Sequence, residues 1–157
     1  GHGYSCHVCL LRPKSRGSVG LASADPLAPP RIDPAFLDSD DDAKLLLRGV
    51  KMTLGILQQA ALAPMRGASV FGEEGMPDDA LMDLIRRRAD SVYHPVGTCR
   101  MGTDELAVVD PQLRVRGVER LRVADASIMP TLIGGNTSAP VMMIGEKAAE
   151  MIRAYVR

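Results

Sequence analysis

The histidine at position 94 is the side chain of this sequence best suited to proton transfer. It lies in segment 91–102, SVYHPVGTCRMG, where two glycines and a proline interrupt any apolar periodicity. Such a composition predicts a loop held in a defined shape. An unperturbed imidazole has a pKa of about 6.5 and can exchange a proton at neutral pH. A lone histidine is more often structural than catalytic, so this segment alone leaves both interpretations open.

A second candidate segment, 124–140, reads ADASIMPTLIGGNTSAP. We predict a strand that ends at Asp125, and a turn at Gly134 and Gly135 that leads directly into the last helix. Backbone amides at such a turn, together with the positive end of a helix dipole, can bind an anion. A well-capped helix without a ligand would have the same sequence, so the segment alone does not decide its role.

Cysteine chemistry is the third possibility. Cys6 and Cys9 form a CxxC pair with His2 nearby, and Cys99 lies far along the chain. On a strand, side chains three apart point to opposite faces, and no second motif completes a four-ligand site. We therefore predict no metal site, a CxxC pair of small core residues, and a packed thiol at Cys99. An odd cysteine count without a disulfide framework favours a reducing compartment.

The elements that position these residues begin with two strands, 4–11 and 18–21, joined by a polar turn. A proline-rich loop follows over 22–38. Ser39 is the predicted N-cap of a helix whose first turn is acidic. The apolar face of this helix is expected at Leu46, Val50, Leu54, Leu57 and Ala61.

Further along the chain we predict a second helix over about 78–89 and two short strands over 107–125 that turn at Gly117. The last helix has Ser138 or Ala139 as its expected N-cap and Pro140 in its first turn. Its buried stripe is predicted to be Val141, Ile144, Ala148, Ile152 and Tyr155. Because strands and helices do not alternate regularly, the fold class is predicted to be α+β.

Composition limits the function classes. The 157 residues carry 19 basic and 19 acidic side chains, a balance that argues against nucleic-acid binding. No apolar run is long enough for a transmembrane helix, and no signal peptide is recognisable. The chain starts without methionine, directly before a predicted strand, so we expect a piece of a longer protein. Whether Gly1 and His2 belong to the natural sequence stays open.

The two candidate segments together carry a resemblance to a known family. The run YHPVGTCRMG is followed by VVDPQLRVRGVERLRVADASIMPTLIGGNTSAPVMMIGEKAAEMI. This combination resembles the C-terminal signature of the glucose–methanol–choline (GMC) oxidoreductases. The front segment HGYSCHVCLLRPKSRGSVGLASADP is similar to substrate-domain strands of the choline dehydrogenase branch and of related aliphatic alcohol dehydrogenases. The likeness covers nearly all of 1–157 and is weakest over 22–90.

The resemblance implies a fold. We expect the mostly antiparallel sheet of the GMC substrate domain with flanking helices, plus a C-terminal strand–helix segment that completes the flavin domain. It implies FAD as cofactor and a small alcohol as substrate. It also assigns Asp125 and Ala126 to the ribityl–pyrophosphate stretch of FAD, and Thr137 to Pro140 to the flavin's pyrimidine end.

The resemblance also implies a catalytic pair. His94 is the general base or hydrogen-bond partner for the substrate hydroxyl, and Asn136 takes the second position. Removing hydride from an alcohol carbon leaves a carbonyl, so the hydroxyl proton must leave as well. An imidazole can accept that proton, and an amide can donate to the developing alkoxide.

One departure from the family shapes the expectations for this chain. The GxGxxG nucleotide-binding loop and the acidic residue that follows it are absent from the 157 residues. We therefore expect a separate N-terminal FAD domain as partner, weak or no FAD binding by this chain alone, no activity alone, and self-association. The expected location is cytoplasmic, with peripheral attachment to a membrane as an open alternative.

Two other function classes stay open at this stage. The first is a non-catalytic binding or interaction domain that retains the GMC fold, although His94 and Asn136 are both present. The second is a thiol- or metal-dependent protein. The low aromatic content, two Phe, three Tyr and no Trp, argues against a complete aromatic cage for choline within this chain.

Overall fold

The structure is a computed structural model that describes residues 3–156, except for the side chain of residue 156. Gly1 and His2, including the histidine placed near the CxxC pair above, lie outside the described residues. The chain divides into two compact units, Gly1–Val92 and Tyr93–Arg157. Each unit has its own secondary structure and is described separately.

The first unit contains two helices that contact each other, α1 at Asp40–Leu57 and α2 at Asp78–Arg88. Helix α2 follows its predicted bounds closely, and α1 begins where predicted but ends before Ala61. Helix α2 buries Leu81 and Ile85, one turn apart, while its acidic start and basic end complement the helix dipole. The predicted apolar face of α1 is half-buried as far as Leu57. Ala61 does not belong to it, because the helix ends earlier and Ala61 is exposed in a 3-10 turn.

Ser39 has the extended backbone of an N-cap, but its side chain makes no capping hydrogen bond. Its backbone amide instead donates to Oγ of Ser15 at 3.1 Å. The start of α1 is therefore tied to the segment before the first strand rather than capped by its own side chain.

A small antiparallel sheet joins strand β1, Ser18–Gly20, to strand β2, Arg31–Asp33, with Val19 opposite Ile32. Strand β1 agrees with the prediction over 18–21, but its partner lies inside the predicted loop 22–38. Prolines at 29, 30 and 34 confine β2 to three residues, since proline cannot donate to a ladder. The predicted strand 4–11 is wrong: none of the described residues pairs with it, and a strand requires a partner for its backbone groups.

The second unit is built on helix α3, Ser138–Val156, which packs against irregular chain. Its core consists of Val109, Leu113, Ile128, Met129, Ile144 and Ala148. The two strands predicted within 107–125 are present only as isolated bridges, such as the antiparallel pair Arg114–Arg122. The predicted turn between them does form, because Gly117 takes φ +76°.

The predicted buried stripe of α3 is only partly right. Val141, Ile144 and Ala148 pack on the core, but Ile152 and Tyr155 are exposed. The core side chains pack along α3 only as far as Met151. Beyond that point the Tyr155 ring lies 5.3 Å below the guanidinium of Arg122, a cation–π contact at the surface.

The observed architecture is therefore α+β, as predicted, with a two-stranded antiparallel sheet and helices. Within residues 3–156, none of the helices combines the length and apolarity required to cross a membrane.

Candidate active site

The loop that carries His94 is fixed to the core of the second unit by its backbone. The amides of Cys99 and Met101 donate to the carbonyls of Ser127 and Ile128, at 3.0 and 2.8 Å. Gly97 takes φ +90°, and an added Cβ there would lie 3.4 Å from a carbonyl oxygen of the same core segment. Because Ile128 is almost fully buried, the histidine loop is anchored on the buried core of this unit.

The imidazole of His94 is half-buried and contacts the start of α3. Its Nδ1 lies 3.0 Å from Oγ1 of Thr137, a hydrogen bond between residues 43 positions apart. Tyr93, directly before His94, adopts φ +62°, a backbone conformation that residues other than glycine rarely take. The two candidate segments of the sequence thus meet in one place, through a contact that sequence reasoning did not identify.

Thr137 is also the residue from which α3 starts. The helix begins at Ser138, and the Thr137 carbonyl accepts the first intrahelical hydrogen bond, from the Val141 amide at 3.0 Å. This places the N-cap one residue before the predicted Ser138 or Ala139. Pro140 lies in the first turn, as predicted.

Asn136 precedes Thr137 in the chain and is exposed. Its Cα is therefore about 3.8 Å from that of the residue that contacts His94. Asn136 is thus the exposed chain neighbour of the residue that contacts His94.

Asp125 and Ala126, the other predicted cofactor residues, form the start of a short 3-10 helix, Ala126–Ile128. Oδ1 of Asp125 accepts the backbone amide of Ser127 at 2.7 Å. The hydrogen bonds from the Ser127 hydroxyl and amide lower the pKa of the Asp125 carboxyl, against the opposing effect of burial. Asp125 is exposed, whereas Ala126 is half-buried against the core. This cap shapes the segment on which the histidine loop rests.

The two cysteines of the CxxC pair do not have the predicted environment. Cys6 and Cys9 are exposed, so the interpretation of this pair as core residues was wrong; Cys99 is half-buried, and all three thiols are free. The reason is that 4–11 forms no strand and hence has no sheet face to pack them. Among the described residues, no group of three or more His, Cys, Asp or Glu side chains could hold a metal ion.

Comparison with known families settles the family of this chain. The family model of the GMC oxidoreductase C-terminal domain matches residues 13–145, which is most of this chain. This chain belongs to the GMC oxidoreductase family. The matched range of this GMC oxidoreductase chain includes both His94 and the start of α3, and it confirms the resemblance stated above.

Individual relatives agree with this assignment. The GMC chain is 49% identical over 153 residues to alcohol dehydrogenase (acceptor) of Pseudomonas putida, covering 97% of this chain and 28% of that protein. It is 46% identical to oxygen-dependent choline dehydrogenase of Pseudomonas syringae pv. tomato, with 97% and 27% covered. The GMC chain therefore spans little more than a quarter of the length of these two relatives.

A solved structure gives the same result for the fold. The formate oxidase of Aspergillus oryzae RIB40 superposes on this chain with a TM-score of 0.86. That structure concerns the effect of a mutation on FAD modification. It shares 32% identity, and the match covers 93% of the GMC chain and 26% of that protein.

Proposed function

We propose that this chain provides the substrate-side catalytic residues of an FAD-dependent oxidoreductase that oxidises the CH–OH group of an alcohol. The observation that carries the proposal is the half-buried His94, held at Nδ1 by Thr137 beside the exposed Asn136. The 49% identity to an alcohol dehydrogenase supports the reaction class.

In this proposal His94 acts through Nε2. Its Nδ1 is engaged by Thr137, so Nε2 is the ring atom left to accept the proton of the substrate hydroxyl. The anchored loop keeps the ring in place during this transfer, which reduces the cost of reaching a reactive geometry. Asn136 donates its side-chain amide to the developing alkoxide and does not compete for the proton.

The start of α3 fits the pyrimidine end of a flavin. Its first turn offers the amides of Ser138 and Ala139, both exposed, while Pro140 has no amide to contribute. These donors and the positive end of a 19-residue helix favour negative charge. FAD, when bound, supplies the hydride acceptor. We propose that Thr137 to Pro140 border the pyrimidine end and that Asp125 and Ala126 border the ribityl–pyrophosphate stretch.

The test uses the full-length protein as its gene encodes it, with a panel of primary alcohols and an artificial electron acceptor. His94→Ala should lower kcat by about 100-fold to 10,000-fold, the usual contribution of a positioned acid–base group. His7→Ala is the matched control, because His7 is exposed and lies in the other unit. Full turnover by the His94→Ala variant would contradict the proposal.

Two further aspects belong to this proposal. We propose that this chain works with residues that bind the adenosine part of FAD and that it does not hold the cofactor alone, because it has no GxGxxG loop. We also place the protein in the cytoplasm, since three free cysteines, two of them exposed, suit a reducing compartment.

A further inference from the structure

We infer that Thr137 is a positioning residue for His94: its hydroxyl oxygen accepts a hydrogen bond from Nδ1–H of the imidazole and thereby leaves Nε2 as the basic atom. This inference rests on the proposed function, in which His94 is the base. Thr137 thus has a task separate from the cofactor contact that the sequence resemblance implies for it.

The Thr137 hydroxyl is within hydrogen-bond distance of Nδ1, so the direction of this bond and the tautomer of the ring are linked. A neutral imidazole carries one N–H, on either Nδ1 or Nε2, and the partner of one nitrogen decides which is protonated. With Oγ1 at 3.0 Å from Nδ1, an Nδ1–H that donates to Thr137 leaves the Nε2 lone pair free for a substrate proton. After Nε2 is protonated, Nδ1–H still donates to the same oxygen, and the bond becomes charge-assisted. The contact therefore serves the ring before and after proton transfer without rearrangement.

The sequence of the α3 start leaves the Thr137 hydroxyl fewer capping donors than usual. An N-cap threonine normally accepts the backbone amide of the second or third residue of its helix. The third residue here is Pro140, which has no N–H, so of the two usual capping donors only the Ala139 amide is present. The Thr137 carbonyl still starts the helix through Val141, while its hydroxyl is directed to His94.

Thr137 is not required to hold the histidine loop. The hydrogen bonds of Cys99 and Met101 to the segment 127–128 fix the loop backbone independently. Removing the hydroxyl should therefore leave the backbone of the loop in place and change the state of the ring. This separates a positioning role from a structural one.

The direct test is the tautomer of His94 in this 157-residue chain. The sequence has three histidines, so ¹⁵N-labelled imidazoles give few signals, and His94→Gln identifies the one of interest. At a pH where the ring is neutral, the Nδ1–H form should dominate in the wild type and in Thr137→Ser. Thr137→Val, which keeps the size and loses the hydroxyl, should shift the ring towards the Nε2–H form. A wild-type ring in the Nε2–H form, or no change in Thr137→Val, would overturn the inference.

Kinetics of the full-length protein provide the second readout. Thr137→Val should lower kcat by about 10-fold to 100-fold, the scale of a misplaced catalytic group, with KM changed by less than about 3-fold. Thr137→Ser should restore most of the kcat. If His94→Ala is inactive and Thr137→Val is fully active, the positioning role of Thr137 is wrong, but the role of His94 as the base is still supported. If His94→Ala is fully active, the proposed function fails, whatever the tautomer.

Discussion

The Asp42 carboxylate accepts two hydrogen bonds from Ser15 through a single oxygen, from the backbone amide at 2.7 Å and from the hydroxyl at 2.6 Å. The Lys14 amide donates to the same carboxylate at 2.9 Å. Asp42 is 4% exposed, although its position in an acidic first turn indicated only a surface charge that complements the helix dipole. This contact ties the start of α1 to the chain that leads into β1.

We expect Asp42→Asn to lower the free energy of unfolding by about 2 kcal/mol, the scale of a hydrogen bond to a buried charged group. An asparagine amide would have one accepting oxygen for three donors, and its NH2 group would face backbone N–H groups. Urea denaturation followed by circular dichroism measures the change. Asp40→Asn is the matched control, since Asp40 is exposed in the same helical turn. Equal effects of the two substitutions would show that only the helix dipole is involved.

The same contact predicts a pH dependence. Burial opposes the ionisation of Asp42, but the hydrogen bonds from Lys14 and Ser15 outweigh it and lower its pKa. The unfolded-state pKa of an aspartate is about 3.9, and the folded-state pKa of Asp42 lies below it. The stabilisation is therefore fully present above the unfolded-state pKa. It is lost as the pH falls through the folded-state pKa. The difference in unfolding free energy between wild type and Asp42→Asn should therefore shrink as the pH is lowered below about 4. A constant difference down to pH 2 would contradict this assignment.

The position of Gly17 next to the end of β2 gives a prediction about stability that rests on steric contact alone. A Cβ at this position would lie 2.1 Å from the carbonyl oxygen of Asp33, a backbone atom at the end of β2. Gly17→Ala should therefore separate the two strands and cost about 1–3 kcal/mol of stability. Gly20→Ala is the control, because the nearest atom to its added Cβ is a side-chain nitrogen of Arg31 at 3.8 Å. A Gly17→Ala variant as stable as Gly20→Ala would refute the close approach.

These features show what the sequence could and could not predict. The helices followed from local information, such as the acidic start and basic end of α2 and the periodic apolar residues of α1. The pairing of β1 with β2 was missed, because it depends on the close approach at Gly17 and not on a pattern within Arg31–Asp33. His94 was found through its motif, but the Thr137 contact joins positions 43 residues apart, and no local spacing encodes it.

Flavin binding gives a prediction about this chain alone. Without the GxGxxG loop, the 157-residue chain lacks the amides that cradle a dinucleotide pyrophosphate. We expect the purified chain to show no flavin absorbance and to bind added FAD weakly or not at all in a fluorescence titration. The full-length protein measured under the same conditions is the reference. Stoichiometric FAD in the purified 157-residue chain would prove the prediction wrong.

Self-association of this chain is predicted from an apolar stripe on α1. Leu45, Met52 and Ile56 follow the i, i+7, i+11 spacing of one helix face and are 56%, 69% and 51% exposed. Burial of such side chains between two copies removes apolar area from water, a favourable change. We expect sedimentation velocity to show dimers or larger species whose population rises with concentration.

The substitution Met52→Glu should shift this equilibrium towards the monomer, because a carboxylate in the middle of the stripe would lose its hydration on association. Gln58→Glu adds the same charge to an exposed residue just beyond the end of α1, outside the stripe, and should leave the equilibrium unchanged. Equal effects of the two variants would indicate a general response to charge. A wild-type chain that stays monomeric at high concentration would rule out the stripe as a self-association surface.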